Sequence, residues 1–117
     1  MERSDSLDTA DPVTWAMLLT YWTRLARSAV ALPEEGEGGD WKRSIPDIVG
    51  LQALACALGD AERLAADELA VAIDRASFQI DAHEQTLRRR WGERLPNGLA
   101  EMIADARIAL VSAASDR

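Results

Sequence analysis

The chain has 117 residues, 48% of them apolar, with a formal net charge of −7. That length and composition fit one globular domain with a real core and exclude a disordered chain. The acidic balance makes nucleic acid a poor partner, because binding it requires phosphate neutralisation. No apolar run reaches the roughly 18 residues that a bilayer span needs, so no membrane partner is expected. The stretch from Met1 to Asp11 is polar and lacks the apolar segment of a secretory signal, and Cys56 is a lone cysteine. Both features predict a cytoplasmic protein, with Cys56 as a buried, inert thiol.

Residues 1–10 are expected to be a disordered tail and residues 11–115 a single helical domain. Asp11-Pro12 is a helix start, with Asp as N-cap and Pro at the first helical position. Trp15, Leu18, Leu19, Trp22, Leu25, Ala26 and Ala29 then follow helical spacing, and the first helix is predicted to end near Ala31, before Pro33. Trp22 sits at the centre of this stripe and is the predicted centre of the core. Residues 33–43 read as an acidic, glycine-rich loop, mobile over Gly36 to Asp40. Trp41 ends it, either as a plug on the bundle or as an exposed contact.

Ser44-Ile-Pro-Asp47 is the next start signal, with Ser44 as cap. The helix predicted over 45–58 is apolar nearly all round, and between Ile48 and Leu58 only Gln52 is strongly polar. Such a helix is buried on most sides. Gly50 inside it costs about 1 kcal/mol against Ala, which close approach of a neighbouring helix would offset. Gly59-Asp60 reads as a stop followed by a start, and the third helix is predicted over 60–91.

That third helix carries two apolar stripes. Ala65, Leu69, Ala72, Ile73, Ala76, Ile80, His83, Leu87 and Trp91 share a broad face. Leu64, Val71 and Phe78, seven apart, fall nearly opposite, interleaved with Asp60, Asp67, Asp74 and Asp81. Arg88, Arg89 and Arg90 suit its C-terminal end, where the macrodipole is negative. After the turn at Leu95–Gly98, a fourth helix presents Leu99, Met102, Ile103, Ala106, Ala109, Leu110 and Ala113 on one face. Nothing reads as a strand. The fold predicted is all-α, an irregular four-helix bundle with one long helix.

Catalytic chemistry is not legible. His83, the only histidine, lies at the margin of an apolar stripe and reads as a half-buried, hydrogen-bonded side chain. A carboxylate-bridged metal site wants Glu three residues before His, and that position holds Ile80. No nucleophile elbow or phosphate-binding glycine loop is present. No cofactor and no metal are expected, and an enzyme is the lesser expectation. The second stripe points to a non-catalytic protein that self-associates, as a homodimer, or docks on a protein partner. Its interface candidates are Leu64, Val71 and Phe78, with Asp67 and Asp74 as an acidic rim. The alternative is a small-molecule binder or enzyme with an inter-helical pocket near Trp22, His83 and Trp91.

Overall fold

Helical spacing of apolar residues governs the chain, and the computed structural model follows it over residues 12–29 and 38–115, the residues it describes. They form four α-helices: α1 (Pro12–Ala29), α2 (Gly38–Gly59), α3 (Ala66–Trp91) and α4 (Asn97–Ser115). Single 3-10 turns lie at Ala61–Arg63 and Gly92–Arg94, and there is no strand among the described residues. The fold is an all-α bundle.

The organising helix is α2, not the first. It packs against α1, α3 and α4, and buries Ile48, Leu51, Leu54, Ala57 and Leu58. A helix apolar nearly all round has no water-facing side to offer, so its neighbours surround it. Trp22, the expected centre of the core, is only partly buried, and Trp15 is the deeply buried tryptophan of α1. The bundle is elongated, 56 × 26 × 16 Å. Trp22 meets Asp60, just past the end of α2.

Two boundaries differ from the sequence expectation. Residues 38–43, assigned to the acidic loop, are the first turns of α2, while residues 33–37 lie outside the described residues, as do residues 1–10. Ser44 and Pro46 are therefore inside the helix rather than at its start. Proline removes one intrahelical hydrogen bond, a loss of about 3 kcal/mol in an isolated helix. The turn persists because Ser44, Trp41 and Asp40 are all engaged by the end of α3, as described below. The third helix begins at Ala66, not Asp60. Asp60 makes no side-chain cap; its carboxylate is taken by the Trp22 indole instead. Leu64 is extended (φ −87°, ψ 147°), which breaks the helical register and turns its side chain into the core.

At the far end of α3, Gly92 adopts φ 59° and its amide donates to the Arg88 carbonyl. That conformation strains any residue with a Cβ, so glycine ends the helix here.

Candidate functional site

The densest polar chemistry joins the N-terminal half of α2 to the C-terminal half of α3. Ser44, fully buried, donates its hydroxyl proton to the Asp40 carbonyl at 2.8 Å. The same oxygen accepts from Trp91 Nε1 and from Arg90 Nη1, each at 3.0 Å. Asp47 accepts from His83 Nδ1 at 2.8 Å and from Arg90 at 3.4 Å. Trp41 packs edge-on against Trp91, with centroids 5.3 Å apart, and so acts as a plug. Arg94 lies over the Trp91 ring, 5.3 Å from its centroid, and pairs with Asp40 at 3.3 Å.

Gly50 completes the cluster. A Cβ there would collide with the His83 ring, lying 2.8 Å from Cε1 and closer still to Nε2. Glycine is what lets the imidazole lie against the α2 backbone while its other nitrogen reaches Asp47. This arrangement leaves little for catalysis. One histidine nitrogen is held by a carboxylate and the other lies close against Gly50. The Ser44 proton is committed to a carbonyl, with no base beside it. The cluster fastens α2 to α3.

The sequence grouped Trp22 with His83 and Trp91 as a pocket, and the structure separates them. Trp22 donates to Asp60 Oδ2 at 2.7 Å, whereas His83 is bound to Asp47. The helical rise of about 1.5 Å per residue puts Asp47 and Asp60 roughly 20 Å apart along α2 and its continuation. His83 and Trp91 share the polar cluster; Trp22 belongs elsewhere.

The interface candidates divide as well. Leu64 is buried in the core and leaves the set. Val71 is 43% exposed and Phe78 75% exposed, with Asp67 and Asp74 exposed on the same side of α3. On α4, Ile108 and Val111 are also exposed. Arg107 sets the register of the two helices. It donates to Asp81 at 2.6 Å and to Glu84, which also accepts from Arg88 at 2.8 Å. These bonds hold the Glu84 carboxyl below its usual range and push the Arg107 guanidinium up. They also place Ile108 and Val111 alongside the stretch of α3 that carries Phe78. The four apolar side chains thus border one outward-facing seam. The signal for the α4 half was present in the sequence, since Ile108 and Val111 fall off that helix's apolar face. Only the register showed that they lie near the level of Phe78 along the two helices.

Trp22 instead lines a cleft of about 350 Å³ between α1, α2 and α4, with Leu25, Gln52, Cys56, Met102 and Asp105. Gln52 Oε1 is closed off from solvent and has no hydrogen-bond partner. Cys56, expected to be buried, is exposed at this cleft. Partial burial and then the Asp60 carboxylate push its thiol pKa up, which keeps it protonated and unreactive. No group of three or more metal-ligating side chains occurs among the described residues. No helix among them is long and apolar enough to cross a membrane. Comparisons with family models, with curated proteins and with solved structures found no match.

Proposed function

We propose that this chain is a non-catalytic helical protein that acts by self-association, two copies docking across the seam of α3 and α4. The observation that supports this most is Phe78. A phenylalanine three-quarters exposed, with Val71, Ile108 and Val111 also exposed on the same two helices, leaves apolar area in water that a second copy would cover. An apolar strip with charged margins is also how protein interfaces are built, and Asp67 and Asp74 supply such a margin. A two-fold arrangement would set the seam against itself, Phe78 meeting the Ile108–Val111 edge of the other copy.

Sedimentation equilibrium tests the proposal. The wild-type chain is expected to shift from 12.8 kDa toward twice that mass in the tens of micromolar. Phe78→Asp is expected to stay monomeric with an unchanged melting temperature, because Phe78 contributes little to the core. A wild-type chain that remains monomeric at several hundred micromolar would overturn the proposal.

A further inference from the structure

We propose that the cleft between α1, α2 and α4 is a binding site for a small apolar molecule carrying an ammonium group. The cleft is lined by α1, α2 and α4 and the seam by α3 and α4, so it is a second site on the molecule. Its size falls in the range of small-molecule pockets, and its lining is mostly apolar with a few polar groups, the usual make-up of such sites. Leu25 and Met102 supply walls for an apolar body.

The polar groups define the ligand. Gln52 is the one strongly polar residue in the central stretch of α2, and a leucine there would continue the apolar pattern. Its carboxamide oxygen is nonetheless buried without a donor. That oxygen has no surface open to the cleft, and the Gln79 oxygen on α3 is orphaned in the same way, so neither marks the ligand. Asp105 adds a carboxylate to the same lining. A carboxylate beside an apolar cleft selects a positively charged group on an apolar body. Trp22 adds an aromatic ring to the lining, held in place by Asp60 at its nitrogen and by Tyr21 edge-on, which suits cation–π contact. The net charge of −7 favours approach of a cation over an anion.

The experiment uses 1-naphthylmethylamine as the probe and 1-naphthylmethanol as its uncharged counterpart. Both are titrated at neutral pH into the full chain while the Trp22 indole and Gln52 side-chain amide resonances are followed. The amine is expected to saturate, moving both resonances, and to bind about tenfold more tightly than the alcohol. Asp105→Asn is expected to remove that preference. Phe78→Asp is expected to bind the amine as wild type does. Failure of the amine to saturate, equal binding of amine and alcohol, or an unchanged preference in Asp105→Asn would overturn the site.

Discussion

Gly50 and His83 are a matched pair. Neither residue explains itself alone: glycine lowers helix propensity, and a histidine with one nitrogen against backbone makes half its hydrogen bonds. Together they bring α3 close to α2 and aim Nδ1 at Asp47. Gly50→Ala gains helix propensity of about 1 kcal/mol but drives a methyl group into the imidazole, an overpacking loss of about 1–3 kcal/mol or more. The variant is expected to be less stable than wild type in urea melts. His83→Ala in the same chain should recover part of the loss, and strictly additive effects would show that the two side chains do not meet. The tryptophans separate in the same way. Trp15→Ala empties a buried site and is expected to cost about 3–5 kcal/mol. Trp22→Ala is expected to cost clearly less, because Trp22 lines an open cleft and gives up one hydrogen bond to Asp60. Thermal melts of the two variants check this ranking, and an equal or larger loss for Trp22→Ala would contradict it.

Among the elements, the seam of α3 and α4 is joined by charge as well as by apolar contact. Glu84 receives Arg88 from its own helix and Arg107 from α4, and the Arg107 bond leads across to Asp81. A carboxyl whose folded-state pKa is lowered contributes its full stability above its unfolded value, about 4.3 for glutamate. That contribution disappears as pH falls through the lower folded-state value. Melting temperature should therefore drop between about pH 5 and pH 3, and Glu84→Gln should show a shallower drop over that window. Identical slopes would mean that the Arg88 and Arg107 bonds add nothing measurable. At the other end of α3, the Ser44 hydroxyl and the edge-on pair Trp41 and Trp91 explain why α2 runs on through Pro46. Local propensity ends the helix there, and tertiary contact carries it on.

For the whole molecule, charge should shape association. The proposed seam brings Asp67 and Asp74 of two copies near each other, within a chain of net charge −7. Repulsion between them is screened within about 10 Å at 0.1 M salt and within about 3 Å at 1 M. Dimerisation is thus expected to strengthen as sodium chloride rises from 50 mM to about 0.5 M. Weakening with salt would show that ion pairs, not apolar contact, hold the copies together. The all-α class, the burial of the second helix on most sides and the placing of Val71 and Phe78 opposite the main stripe of the third could all be read from residue spacing, because helical periodicity is a local property. So could the need for a close neighbour at Gly50. What spacing could not supply is where a polar side chain finds its partner. Asp60 and Ser44 carry ordinary capping chemistry in the sequence, yet in the fold each serves a tryptophan from another helix. Both helix starts moved as a result, Leu64 went into the core, and the long helix was shortened. The grouping of Trp22 with His83 and Trp91 failed for the same reason. Positions on one helical face say nothing of the offset between helices, and that offset is decided by packing and by the hydrogen bonds that close over it.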